Sequence, residues 1–124
     1  AAINYVENVG IGNIEKHSAK LTKYMFDKIN NIDNTICYGN PDNIHGIVAF
    51  NVEGMNSHDV AKILDEIKDI CVRSGYHCAI PAIKHIGADK LGGTVRASVH
   101  YYNTKEEIDI LAETVEEISK FAGG

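Results

Sequence analysis

Hydrophobic and polar positions along this chain recur with two different periods. Ile14, Leu21, Met25 and Ile29 stand at helical spacing, and Ile3 and Val6 share one face of a shorter segment before them. The spacing predicts a helix from Ala1 to about Val9, an interruption at Gly10 and Gly12, and a second helix from an Asn13 N-cap to about Ile29. Asn30-Asn31 and Asp33-Asn34 stop it. Thr35 to Tyr38 reads as a short strand and Gly39 to Asn43 as a turn. Gly46 to Val52 carries the continuous apolar run of a centrally buried strand. Asn56 or Ser57 caps a helix over His58 to Ile67, with Val60, Ile63, Leu64 and Ile67 on its apolar face and Asp59 in its first turn. A third strand is expected over Asp69 to Arg73. From Thr94 to His100 the period is two: Val95, Ala97 and Val99 face one way, Thr94, Arg96 and Ser98 the other. Thr104 and Glu107 form a capping box that opens a last helix through Ile108, Leu111, Ala112, Val115, Ile118 and Ala122.

Such an order has an economical solution. It is an α/β chain of the two-layer α+β kind, with one small mixed or antiparallel sheet covered by helices mainly on one face. The length of 124 residues suits a single domain. A formal charge of −5 disfavours nucleic acid and acidic membrane surfaces as partners. The longest apolar run, Ile47 to Phe50, is far short of the roughly 20 residues that span a bilayer. No basic and apolar opening typical of a secretory signal is visible, so none is expected. It starts without Met, in a segment already helical in spacing, and is therefore expected to be a piece of a longer protein. Cys37, Cys71 and Cys78 are too few for a disulfide framework, which fits a reducing, cytoplasmic setting. Cys37 and Cys71 fall in expected strands and read as core.

The stretch from Ser74 to Gly93 is anomalous, because it joins two expected core strands with about 20 glycine-bearing residues. It holds Cys78 beside His77, with Arg73 just ahead. A cysteine on a mobile, partly cationic loop can act as a nucleophile, since a nearby positive charge favours the thiolate. A small apolar filler is the alternative. Arg96 stands on the polar face of a strand and suits a bidentate grip on a carboxylate or phosphate, or is a solvated surface arginine. His77, Cys78 and His85 match no common metal-site spacing, so no metal is expected. His17, His45, His58 and His100 read as ordinary hydrogen-bonding residues.

Arg73-Ser74-Gly75-Tyr76-His77-Cys78-Ala79 resembles the RxGxHCA motif of the SufS-type (group II) cysteine desulfurases, class V members of the fold-type I pyridoxal-phosphate enzymes. Gly46 to Gly54, Ser57 to Ala61, Thr94 to Ser98 and Tyr102 to Asp109 resemble the segments around that motif in the same order. Ala1 to Ile29 resembles the stretch entering the family's C-terminal small domain. Tyr76 stands where many relatives have a second histidine, and Ile83 to Gly93 is longer than in some. The resemblance implies an enzyme that takes sulfur from L-cysteine, leaving L-alanine and an enzyme persulfide for iron–sulfur cluster assembly. It implies that Cys78 forms the persulfide, that Arg96 holds the substrate carboxylate and that Arg73 lies near the cysteine loop. Residues 1–124 would then be one C-terminal small domain whose large, cofactor-binding domain is absent. The Schiff-base lysine would belong to that domain, so neither bound pyridoxal phosphate nor activity is expected of this chain alone. Implied partners are the missing large domain, a second subunit of a homodimer and a SufE- or SufU-like sulfur acceptor. Selenocysteine lyase, cysteine-sulfinate desulfinase and a class V aminotransferase-like enzyme are the neighbouring alternatives. A cofactor-free persulfide carrier or interaction module and a purely structural domain are the alternatives of other classes.

Overall fold

In the structure, a computed structural model, residues 1–43 and 46–122 are described. Helices α1 (Ala2–Val9) and α2 (Ile11–Asn30) lead into strands β1 (Thr35–Tyr38) and β2 (Ile47–Val52). Helix α3 (Ser57–Lys68) crosses to β3 (Arg73–Gly75). A short helix α4 (Ile80–His85) and a 3-10 turn (Ala88–Leu91) precede β4 (Thr94–Ser98), and α5 (Lys105–Ala122) follows. The strands form one sheet in the order β1-β2-β4-β3, each neighbouring pair antiparallel. This is the two-layer α+β arrangement expected from the sequence.

One face of the sheet makes the core. Val48, Phe50 and Val52 of β2, with Val95 and Ala97 of β4, join Met25 and Ile29 of α2, Val60 and Leu64 of α3, and Leu111 and Val115 of α5 in a single cluster. Taking each large apolar side chain out of water contributes about 1.5–3 kcal/mol, so this face carries most of the stability. Helix ends are fixed by local chemistry. Asn56 Oδ1 accepts from the His58 backbone N–H at the start of α3. The capping box of α5 closes both ways: Glu107 accepts from the Thr104 N–H at 3.0 Å, and Thr104 Oγ1 from the Glu107 N–H at 3.3 Å.

The structure corrects several expectations. The helix expected to start after an Asn13 cap starts at Ile11. Gly10, at φ 86°, makes the break, and the Asn13 amide donates to the Val9 carbonyl instead. The strand expected over Asp69 to Arg73 runs from Arg73 to Gly75. Asp69 takes a left-handed conformation that ends α3, its N–H returning to the Asp65 carbonyl and that of Ile70 to the Leu64 carbonyl, so the chain there is still leaving the helix. Cys71 therefore lies outside any strand and is exposed rather than core. Cys37 is on β1 and half-buried, and burial pushes its thiol up to about 12. The apolar run of β2 is not buried on both sides, since Ile47 is 43% exposed and Ala49 half-buried on the second face. The long connection before β4 is structured by α4 and the 3-10 turn.

Candidate active site

Alternation along the strands puts a second residue set on the face away from the core. One row across it reads Tyr38, Ala49, Arg96 and Arg73. These are the chain's two arginines, and they sit directly opposite each other on β4 and β3. Facing like charges repel, so the pairing costs stability. Neither arginine takes part in an ion pair among the described residues. Arg96 is half-buried, and its Nε is buried with no hydrogen-bond partner among them. Two adjacent guanidinium groups on rigid strands are suited to an oxyanion, which they can grip through paired N–H donors.

Cys78 lies on a tight turn shortly after β3. The Ala79 N–H donates to the Tyr76 carbonyl at 2.8 Å, and the two residues between them, His77 and Cys78, both have positive φ, 51° and 59°. Those φ signs are the signature of a type I′ turn, normally filled by Gly, Asn or Asp. Holding L-residues there costs roughly 1–2 kcal/mol each. Strain of this size persists only where surrounding structure fixes it. Cys78 itself is exposed.

The fixing contacts are visible. His77 Nε2 lies 3.1 Å from the Thr94 carbonyl and 2.9 Å from Thr94 Oγ1. A carbonyl only accepts, so Nε2 carries the proton and Nδ1 is left as a lone pair. Nδ1 is buried and has no partner among the described residues. Burial, foremost, and the charges of Arg96 and Arg73 hold the imidazole below the ordinary histidine range, against the bond to Thr94. At the base of the excursion, two backbones cross so closely that a Cβ on Gly93 would collide with the Gly75 carbonyl. Asn51, 1% exposed, donates to the Gly93 carbonyl at 2.9 Å and to Tyr38 Oη at 3.2 Å, and its Oδ1 is buried without a partner. Ser57 donates to the Gly92 carbonyl.

The structure thus brings Arg73, Arg96 and His77 to one region, and Cys78 follows His77 on the turn after β3. Sequence reasoning missed Asn51 and the anchoring role of His77. The signal for Asn51 was a polar residue inside an apolar strand; for His77 there was none beyond its place next to Cys78. His85 is exposed on α4, and no group of three or more His, Cys, Asp or Glu side chains among the described residues is placed to hold a metal ion. His17 meets the Asn103 carbonyl, His58 meets Ser74 Oγ, and His100 packs on Tyr102. His45 lies outside the described residues. None of the described helices is long and apolar enough to cross a membrane.

Comparison with known proteins gives a consistent result. Residues 1–111 match the family model described as aminotransferase class-V. A probable cysteine desulfurase of Methanothermobacter thermautotrophicus is 56% identical over 119 residues, which cover 96% of this chain and 30% of that protein. A probable cysteine desulfurase of Pyrococcus abyssi is 44% identical over 97% of this chain and 29% of its own length. Among solved structures, the apo cysteine desulfurase of Thermococcus onnurineus superposes with a TM-score of 0.86 at 42% identity, covering 95% of this chain and 29% of that one. The chain therefore spans about 30% of the length of the relatives it matches. Matching across residues 1–111, with these relatives over nearly its whole length, the chain belongs to the aminotransferase class-V family.

Proposed function

We propose that this chain is the C-terminal small domain of a SufS-type, pyridoxal-phosphate-dependent cysteine desulfurase. One observation carries the reading: Cys78 is exposed on a strained turn, and that turn is tied by His77 to the strand that presents Arg96 opposite Arg73. In the proposed reaction the Cβ–Sγ bond of free cysteine breaks. The sulfur passes to the Cys78 thiolate as a persulfide. The carbon keeps the bonding pair and takes the proton of the substrate thiol, leaving alanine. Arg96, with Arg73 beside it, binds the substrate carboxylate and so holds the sulfur in reach of Cys78.

Pyridoxal phosphate withdraws electrons from the substrate carbon, and enzymes hold it through a lysine amine and a partner for the ring nitrogen. The register puts no lysine and no carboxylate on the open face of the described strands. The groups present fit the substrate's carboxylate and not the cofactor's aldehyde or ring nitrogen, so no step is assigned to the cofactor on this chain. Those groups are assigned to a large domain of the same protein. Persulfide delivery to a SufE- or SufU-like acceptor for iron–sulfur assembly, by a cytoplasmic homodimer, completes the proposal.

The test is the full-length protein with Cys78→Ala, assayed for alanine and sulfide from cysteine. Alanine formation is expected to fall by about 100-fold or more, the scale seen when a nucleophile is lost. Wild-type turnover would refute the assignment. Full activity towards selenocysteine or cysteine sulfinate, with cysteine turnover lost, would move the substrate and keep the family.

A further inference from the structure

The histidine next to the reactive cysteine invites a role as its base, and the geometry argues against that. His77 Nε2 is committed to Thr94, and Nδ1 has no hydrogen-bond partner among the described residues, the Cys78 sulfur included. His77 is bonded instead to the first residue of β4, two positions from Arg96. Its neighbour Cys78 is the second central residue of a turn whose backbone is unfavourable for both side chains. We infer that His77 is a positioning residue: through its bond to Thr94 it holds the left-handed turn closed and fixes where Cys78 stands relative to Arg96.

Three further contacts support a fixed base for such a device. Gly75 and Gly93 cross in backbone contact, Asn51 holds the Gly93 carbonyl and Ser57 holds the Gly92 carbonyl. The chain entering the Cys78 turn and the chain leaving for Arg96 are thereby joined just below His77. Beyond this base, within the turn, the bond from His77 to Thr94 is the one side-chain hydrogen bond to β4 among the described residues. Without it the turn can relax to ordinary backbone conformations, and the sulfur moves while the arginine stays. A displacement of about 1 Å can cost of the order of 100-fold in rate when reacting atoms must meet.

The inference rests on the proposed desulfurase reading, and the test separates the two. Full-length protein with His77→Ala, His77→Gln and Thr94→Val is assayed for alanine formation beside Cys78→Ala. Glutamine has no titrating nitrogen but can donate from Nε2 to Thr94. His77→Ala is expected to lower kcat about 10- to 100-fold and to leave KM for cysteine within about twofold, because the arginines on the strands are untouched. His77→Gln is expected to recover kcat to within roughly threefold of wild type. If His77→Gln is as impaired as His77→Ala, the imidazole itself does chemistry and the inference fails. If His77→Ala keeps wild-type kcat, it also fails. Should His77→Ala not fold, Thr94→Val replaces it, with a smaller loss expected in kcat alone; an unchanged kcat there overturns the inference. An active Cys78→Ala would instead remove the desulfurase reading. In that case the rate of iodoacetamide labelling at Cys78, resolved from Cys37 and Cys71 by peptide mass spectrometry, still reads the turn. His77→Ala must change that rate at least threefold and His77→Gln must not.

Discussion

On the helix-covered face of the sheet, Val48, Phe50, Val52 and Val95 are wholly buried, in one cluster with apolar residues of α2, α3 and α5. On the opposite face, one residue along each strand, stand Arg73, Arg96, Asn51 and Thr94. The buried side-chain polar atoms that lack a partner among the described residues, Asn51 Oδ1, His77 Nδ1 and Arg96 Nε, all belong to this second side. So do the facing arginines and the strained turn. Unpaired buried polar atoms each cost about 1–3 kcal/mol, and native proteins keep few of them. The first face repays the chain's conformational entropy, and the second spends stability on groups ready for a ligand or a covering domain. The departures from local rules named here, the facing arginines, the strained turn and the unpaired buried atoms, gather on the side of the proposed site.

The sharpest way to break this comparison is to damage the first face. Phe50→Ala removes the largest wholly buried side chain. It is expected to cost about 3–5 kcal/mol of stability, measured by urea unfolding of this chain. A loss below about 1 kcal/mol would mean the core collapses around the gap, and the assignment of stability to this face would be wrong.

The next largest effect tests the crossing on the second face. Gly93 has φ 101° and its added Cβ would meet the Gly75 carbonyl. Gly93→Ala is expected to cost about 1–3 kcal/mol from backbone strain alone. Its amide NMR shifts should move at Gly75, His77 and Cys78 and leave those of α5 in place. A neutral Gly93→Ala would show that the two backbones are free to separate, and the base of the Cys78 turn would no longer be fixed.

What was legible in the sequence follows the same division. The last helix was readable because Thr104 and Glu107 cap it and its apolar residues recur every three or four positions, both local signals. The β4 strand was readable from clean alternation. Strand β3 was not, because it has three residues and begins only after the left-handed Asp69 and the segment that leaves α3, which carries strand-like residues. Ile70 and Val72 look like strand residues but pack against the core as the chain leaves α3. Cys78, Arg73 and Arg96 were singled out from motif and residue type, and their roles are part of the proposal. That the arginines face each other depends on long-range strand register, which sequence periodicity does not encode. The turn at His77 and Cys78 was illegible for a different reason, because it puts residues where turn statistics place glycine and asparagine.

The smallest expected effect is also the most discriminating, because its sign is opposite to that of most substitutions. Arg73 is exposed and pairs in register with Arg96, and neither has an acidic partner among the described residues. Arg73→Gln keeps part of the aliphatic stem and removes one of two like charges. At low salt it should therefore stabilise this chain, by about 0.2–0.5 kcal/mol after screening at an exposed site. The gain should vanish near 1 M sodium chloride, where charges are screened within about 3 Å. Sulfate should raise the melting temperature of the wild-type chain more than that of Arg73→Gln, since only the wild type offers two guanidinium groups to one oxyanion. A destabilised Arg73→Gln at low salt, with no difference between the chains in sulfate, would show that Arg73 contributes through packing. The second face would then offer one guanidinium to an oxyanion, and the contrast with the core face would narrow to Arg96 and the Cys78 turn.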